Sequence, residues 1–190
     1  MKERQEINKA QIRKEVLAAR NNLSLTERER AASFLTKHIC AHSWFTMSDT
    51  LLAFVSYGSE IDTTEIIKEA LKLGKKVYVP KVEGEDMIFY RIGDLSELAE
   101  GYKGISEPTG ATERYEYQPE QAEKVLVLMP GAVFDKNRNR IGYGKGFYDR
   151  FLSDKQELQL RTIGVGFLCQ LVEFLPAQEW DIKPCQVICV

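Results

Sequence analysis

The chain has 190 residues, 44% of them hydrophobic, and a formal net charge of −2. This length and apolar content suit one globular domain over residues 1–190, and the near-zero charge gives no overall field that would attract nucleic acid. The charged N-terminus has no apolar signal core, and the longest apolar runs are far too short to span a bilayer. We therefore expect a cytoplasmic protein that binds neither nucleic acid nor a membrane.

The first ninety or so residues alternate between apolar residues at helical spacing and short apolar runs typical of strands. Two helix starts carry capping patterns, Ser-Leu-Thr-Glu from Ser24 and Asp-Thr-Thr-Glu from Asp62. Gly74 marks the end of the helix that follows the second pattern. In chain order, these patterns predict helices at 7–22, 24–41 and 62–74 and strands at 51–57, 75–80 and 86–92.

The second half contains the clearest buried strand, at 124–131, followed by a glycine-rich segment that leads into a short helix. Two further strands are predicted at 161–167 and 185–190, whereas 95–118 is mixed and includes an irregular loop at 104–110. Strands that alternate with helices predict an α/β fold whose largely parallel sheet is covered on both faces.

Ligands of such sheets bind at the carboxyl ends of the strands. Three predicted loops leave strands at that edge, at 56–62, at 104–110 and at 130–146. We expect these loops to form the binding site.

Three glycines alternate in the segment Ile-Gly-Tyr-Gly-Lys-Gly-Phe at 141–147. Such a segment by itself is commonly a turn. It matches neither a P-loop, which needs Ser or Thr after Lys145, nor a Rossmann turn, which needs a glycine where Phe147 stands. Glycines nevertheless let backbone N–H groups approach an anion, and the helix predicted to begin near Gly146 points its amino end at the same place.

Charged residues flank this segment. Lys145 and Arg140 supply cations suited to phosphate oxygens. Asp149 lies in the first helical turn, where it either favours the helix start or holds Mg²⁺, which typically takes one or two carboxylates plus phosphate oxygens. The combination predicts a polyphosphate cradle with ATP as its ligand.

Two further features point to a ligand more weakly. Lys9, Arg13 and Arg20 lie on one side of the first helix at the border of its apolar stripe, where they are either solvated or reach over a ligand. Glu60 follows a strand and is either a solvated loop residue or an acceptor for the ring N–H donors of a heterocycle.

The cysteines and histidines predict no metal site. Cys185 and Cys189 would lie about 13 Å apart along a strand, too far for a disulfide or a shared metal, so we expect reduced, mostly buried thiols. His38 and His42 have the i, i+4 spacing of a metal pair, but without a third ligand nearby a solvated helix face is favoured.

The segment at 129–152 resembles the signature of the 5-formyltetrahydrofolate cyclo-ligase family, which is a strand, Pro-Gly, Phe-Asp and then Arg-Leu-Gly-x-Gly-x-Gly-Tyr-Tyr-Asp. The blocks at 9–16, 54–67 and 163–176 resemble the family's N-terminal helix, its second block and its late strand with the following loop. The resemblance spans most of the chain and is weakest at 95–118.

The resemblance implies a three-layer α/β/α sandwich and an enzyme that uses ATP and Mg²⁺, with Asp149 as the Mg²⁺ ligand. Because phosphoryl transfer depends mainly on positioning and charge stabilisation, Lys145 and Arg140 are the expected catalytic residues. The implied ATP-binding residues are Lys9, Ala10, Gln11, Ile12, Arg13, Arg140, Ile141, Gly142, Tyr143, Gly144, Lys145, Gly146, Phe147 and Tyr148. The implied substrate-binding residues are Arg13, Val55, Glu60, Tyr143, Gly144, Lys145, Gly146 and Phe147.

The chain departs from the family pattern at several positions. Ile141 and Phe147 replace Leu and Tyr, and Lys145 stands where many members have Gly. Near the end, Trp180 replaces a His and Cys185 replaces an Asp. If that Asp is a metal ligand in relatives, Asp181 or water has to serve here.

The implied reaction closes 5-formyltetrahydrofolate, with or without a polyglutamate tail, to 5,10-methenyltetrahydrofolate and releases ADP and phosphate. The protein is expected to be a monomer or a weak dimer. Two alternatives stay open: a non-catalytic folate- or nucleotide-binding relative, and an enzyme like a sugar-phosphate isomerase or CoA transferase on a related scaffold.

Overall fold

A computed structural model describes residues 8–110, 113–176, 178 and 180–190. The helices are α1 (Lys9–Asn21), α2 (Leu25–Ala41), α3 (Ser43–Met47), α4 (Thr64–Lys72), α5 (Phe147–Leu152) and α6 (Gln156–Gln159). The strands are β1 (Thr50–Leu52), β2 (Lys76–Glu83), β3 (Asp86–Ile92), β4 (Leu98–Glu100), β5 (Ser106–Pro108), β6 (Val125–Met129), β7 (Val133–Asp135), β8 (Arg140–Ile141), β9 (Thr162–Gly166), β10 (Leu171–Val172) and β11 (Gln186–Cys189). Short 3₁₀ helices lie at Leu95–Glu97, Tyr102–Gly104, Pro119–Lys124 and Leu168–Gln170.

A sheet in the order β11-β9-β6-β1-β2-β3 lies at the centre. Its neighbouring strands are parallel, apart from β2 and β3, which form an antiparallel hairpin. The register places Leu51 of β1 between Val77 of β2 and Leu126 of β6. The predicted α/β fold with a largely parallel sheet is confirmed.

The side chains of β6 alternate between two apolar cores, because successive strand residues point to opposite faces of a sheet. Leu126 and Leu128 belong to a core that includes residues of α2 and α4. Val125, Val127 and Met129 belong to a core that includes residues of α5 and α6. The sheet therefore lies between two helical layers, as the three-layer prediction requires.

Helix α1 packs against a small second sheet in the order β10-β7-β8. Ile12 and Val16 of α1 contact a third apolar cluster that contains Val133 and Ile141. Strand β8 ends at Ile141, directly before the first glycine of the glycine-rich segment. The packing of α1 therefore holds its polar side chains beside that segment.

Several local predictions are confirmed and others need correction. The capping box at Ser24 and Glu27 is present. Asp62 forms no capping box, because its carboxylate accepts from the Thr64 N–H and the Ser56 hydroxyl, while the N-cap Thr63 makes no side-chain cap bond.

Two loop and strand predictions were wrong in extent. Strand β1 ends at Leu52 rather than at 57, since the Phe54 carbonyl accepts from the Thr63 hydroxyl instead of from a strand. The segment at 104–110 was predicted to be irregular but contains β5, which pairs with β4. Ile7, the predicted start of the first helix, lies outside the described residues.

The four cysteines are free thiols of intermediate exposure, so most of the surface of each is covered, as expected. His42 is not on a solvated helix face, because its Nδ1 accepts from the Trp44 N–H and its Nε2 lies 3.1 Å from Gln186 Oε1. In the described part of the chain, no group of three His, Cys, Asp or Glu side chains is arranged to hold a metal. No helix among the described residues is long and apolar enough to cross a bilayer.

Candidate active site

The loops that follow β1 and β6 meet at the carboxyl edge of the central sheet. They border a narrow cleft lined by Arg20, Phe54, Glu60, Pro130 and Gln170, among others. The structure thus brings the predicted loops at 56–62 and 130–146 together with the end of α1.

The glycine loop, Gly142–Gly146, runs from the end of β8 to the start of α5. Gly144 has φ +89° and Gly146 has φ +64°, in the left-handed region that favours glycine. Within the described residues, none of the five N–H groups of this loop donates to a protein acceptor. The loop therefore presents unpaired donors of the kind that bind anions.

Two arginines hold the carbonyl groups of this loop. Arg13 Nη1 lies 3.4 Å from the Gly142 oxygen, and Arg150 Nη1 donates to the Lys145 oxygen at 2.8 Å. In a trans peptide the next N–H points away from the carbonyl, so the N–H groups of Tyr143 and Gly146 point away from these two arginines. Sequence reasoning missed Arg150, because an arginine in the last turn of a short helix is an ordinary helix-end charge.

Arg140 and Asp149 form an ion pair beneath the loop. Arg140 Nη2 lies 3.0 Å from Asp149 Oδ1, which also accepts from the Ile182 N–H at 3.1 Å. The Arg140 side chain is only 6% exposed, and its Nε is a buried donor without a partner among the described residues. Asp149 Oδ2 makes no hydrogen bond within that part of the chain.

These observations test whether the site fits an anion with Mg²⁺. An unpartnered guanidinium N–H suits a phosphate oxygen. The remaining oxygen of Asp149 suits a Mg²⁺ ion that takes one carboxylate and several phosphate or water oxygens. Asp181 likewise has one occupied oxygen, since its Oδ2 accepts from Lys9 Nζ and from the Gln178 N–H, but no contact joins it to Arg140 or to the glycine loop within the described residues.

The structure distributes the predicted ATP-binding residues of α1 unevenly. Arg13 contacts the glycine loop, whereas Lys9 is paired with Asp181 beyond the helix start. Gln11 bonds to Glu15 on the exposed face of α1. Ala10 is exposed and Ile12 packs in the third apolar cluster.

Two predicted residues at the glycine loop differ sharply in exposure. Lys145 is exposed, and within the described residues no carboxylate forms an ion pair with it. Tyr148 is buried, and its hydroxyl has no described partner. Burial raises the pKa of Tyr148, so this hydroxyl stays protonated.

Glu60 lies on the other side of the cleft. Its Oε2 accepts from the Tyr57 N–H at 2.9 Å. Burial raises the pKa of Glu60, while the Tyr143 hydroxyl, the Tyr57 N–H and the charge of Arg20 oppose that rise. Val55 packs against the larger core, and its role in binding stays a prediction.

The hairpin of β4 and β5 adds an aromatic wall that sequence reasoning missed. The Tyr102 ring lies edge-on to Phe147 with centroids 6.4 Å apart. A Cβ added at Gly104 would lie 3.5 Å from the Tyr57 ring. Isolated aromatic residues in a mixed segment carry no periodic signal, so only the folded chain shows that this hairpin borders the glycine loop.

Comparison with known proteins places the chain in a family. The model of the 5-formyltetrahydrofolate cyclo-ligase family matches residues 5–190. The 5-formyltetrahydrofolate cyclo-ligase of Escherichia coli K12 is 34% identical over 139 residues, covering 72% of this chain and 75% of that protein. The Mus musculus enzyme of the same name is 31% identical over 185 residues, covering 93% and 91%.

Solved structures show the same relationship. The NMR structure of Aquifex aeolicus 5,10-methenyltetrahydrofolate synthetase matches with a TM-score of 0.78 at 34% identity, covering 93% of this chain and 86% of that one. A Mycoplasma pneumoniae 5,10-methenyltetrahydrofolate synthetase shares the fold with a TM-score of 0.73 at 24% identity, covering 96% and 98%. With a family match over nearly its whole length, this chain belongs to the 5-formyltetrahydrofolate cyclo-ligase family.

Proposed function

We propose that the protein converts 5-formyltetrahydrofolate to 5,10-methenyltetrahydrofolate with conversion of ATP to ADP and phosphate, the formyl oxygen leaving in the phosphate. Family membership supports the folate conversion. The observation that carries the ATP requirement is the glycine loop, whose five N–H groups lack acceptors among the described residues and lie beside Arg13, Arg140 and Lys145.

The chemistry needs activation because the formyl carbon on N5 is amide-like and its oxygen is a poor leaving group. Attack of that oxygen on the γ-phosphorus of ATP forms a C–O–P linkage and releases ADP. N10 then attacks the formyl carbon and loses its proton, the C–O bond breaks, and phosphate departs with the formyl oxygen.

The residues of the chain serve this reaction by position and charge rather than as nucleophiles. The glycine-loop N–H groups, Lys145 and the unpartnered Nε of Arg140 bind phosphate oxygens and stabilise charge that develops on them. Glu60 accepts from the pterin N–H groups. Asp149 would hold Mg²⁺, which supplies further positive charge next to the phosphates.

The test is an assay of 5-formyltetrahydrofolate with and without Mg-ATP, in which methenyl product is followed by absorbance and ADP is quantified separately. We expect product and ADP in equal amounts, and only with Mg-ATP. Binding of ATP without turnover would indicate a non-catalytic relative. Turnover of a phosphosugar or CoA ester without ATP would indicate the other class of enzyme.

A further inference from the structure

Arg20 is a buried cation at the end of α1. Its residue is only 5% exposed, and within the described residues no carboxylate lies within ion-pair distance of it. A charge removed from water is costly unless it is hydrogen-bonded. Arg20 Nε donates to Ser59 Oγ at 2.9 Å and Nη1 donates to the Tyr143 hydroxyl at 2.7 Å.

Both contacts lie in the candidate site rather than in the helix. Ser59 belongs to the loop after β1, and Tyr143 belongs to the glycine loop, 123 residues from Arg20. Arg20 therefore joins α1 to the loops on both sides of the cleft.

In the hydrogen bond between Arg20 and Tyr143, Arg20 is the donor. A guanidinium has no acceptor, so the Tyr143 oxygen accepts from Arg20 and its own proton remains for a third group. Glu60 is the nearest candidate acceptor by position, because it lines the same cleft as Arg20 and directly follows Ser59, which Arg20 also holds. The pKa of Glu60 agrees with this placement, since hydrogen bonding with Tyr143 opposes the rise that burial causes.

We propose that Arg20 is a positioning residue of the folate site, whose guanidinium holds the Tyr143 hydroxyl toward the Glu60 carboxylate and so orients the acceptor of the pterin N–H groups. This role rests on the proposed function and refines it. Arg20 lines the same cleft as Glu60, and in this role it acts on the substrate through Tyr143 and Glu60.

A neighbouring arginine provides the contrast. Arg28 also lies at the junction of α1 and α2, but its guanidinium donates to the carbonyls of Leu23 and Asn21. A longer contact of 3.4 Å joins Arg28 Nη2 to the Arg20 carbonyl. These bonds all go to backbone carbonyls at the end of α1 and involve no side chain of the cleft. Arg28→Gln is therefore the matched control for the loss of a helix-end arginine.

The charged and titratable groups that face Glu60 are Arg20 of α1, Tyr143 of the glycine loop and Tyr148 of α5. Removing Arg20 removes a positive charge that favours the carboxylate, so the pKa of Glu60 moves further upward. Folate binding that requires the anion is then lost at a higher pH as the solution is acidified.

The experiment is calorimetric titration of 5-formyltetrahydrofolate into the protein without ATP, which prevents turnover, from about pH 5 to about pH 8.5. Arg20→Gln should weaken binding at least about tenfold at neutral pH and shift the acid limb of the affinity profile upward. Arg20→Lys keeps the charge but loses the planar fork of the guanidinium. The acid limb of its affinity profile should therefore lie at the wild-type pH, while its affinity should recover only in part. Arg28→Gln should match wild type both in affinity at neutral pH and in the pH of the acid limb.

A double variant separates positioning from general damage. Arg20→Gln combined with Tyr143→Phe should bind folate no more weakly than the weaker single variant, because both changes break the same connection. Should Arg20→Gln fail to fold, as judged by circular dichroism, Tyr143→Phe alone must show the upward shift of the acid limb.

Different results would contradict the positioning role of Arg20 and the proposed function. Wild-type affinity and an unshifted acid limb in Arg20→Gln, or additive losses in the double variant, would overturn the positioning role while leaving the proposed function intact. A wild-type protein that neither binds nor converts 5-formyltetrahydrofolate would overturn the proposed function and the role of Arg20 with it.

Discussion

At the scale of single residues, Lys145 is the exposed cation of the glycine loop and has no carboxylate partner within the described residues. We predict that Lys145→Ala lowers turnover at least about tenfold, because a charge that acts on developing negative charge is lost. Methenyl formation at saturating ATP measures this. Lys68→Ala, which removes an exposed lysine of α4, is the control, and equal rates in both variants would remove Lys145 from the mechanism.

Glu60 gives a prediction about pH. Burial raises the pKa of this carboxyl above its ordinary value, and a carboxylate is present only above its pKa. The folate affinity of the wild type should therefore fall as the pH drops through that raised value. Glu60→Gln should raise the folate KM at pH values above that pKa and remove this dependence, whereas Glu65→Gln on the exposed side of α4 should leave the profile unchanged. A normal folate KM in Glu60→Gln would argue against contact with the pterin.

At the scale of elements, the glycine loop works through its backbone. An alanine at Gly144 would have φ +89°, at a cost of about 1–3 kcal/mol for a non-glycine residue, and its Cβ would meet Arg13 Nη1 at an ordinary 3.5 Å. We expect Gly144→Ala to raise the KM for ATP several-fold, since strain displaces the loop N–H groups.

Gly84 supplies the control for that substitution. It lies in the turn between β2 and β3 with φ +64° and open space around its Cα. Gly84→Ala should lower the melting temperature through comparable backbone strain but leave the KM for ATP unchanged. If both variants changed the KM for ATP equally, the effect of Gly144→Ala would be one of general stability.

At the scale of the whole molecule, stability depends on the central strands. Leu126 of β6 is fully buried between β1 and β9, so Leu126→Ala should lower the free energy of unfolding by about 2–5 kcal/mol. Leu160, which is 64% exposed, should tolerate the same change within about 0.5 kcal/mol. Urea denaturation measures both, and similar small losses would contradict the assignment of β6 to the core.

Patterns among residues close together in the chain determined much of the secondary structure and the fold class of this protein. The capping box at Ser24, the helical spacing of α1 and the continuous apolar run of β6 depend on residues close together in the chain, and they predicted the α/β class. The alternating glycines with Lys145 likewise identified the loop at the candidate site, because left-handed backbone conformations require glycine locally.

Only the tertiary structure decided which side chains meet across the cleft. The sheet order places the loops after β1 and β6 side by side, and the folded chain brings Arg20 to Tyr143 and Arg13 to Gly142. It also ends β1 at Leu52 and pairs Lys9 with Asp181. Such contacts join residues far apart in the chain, and their geometry follows from strand order and packing rather than from any local period or propensity.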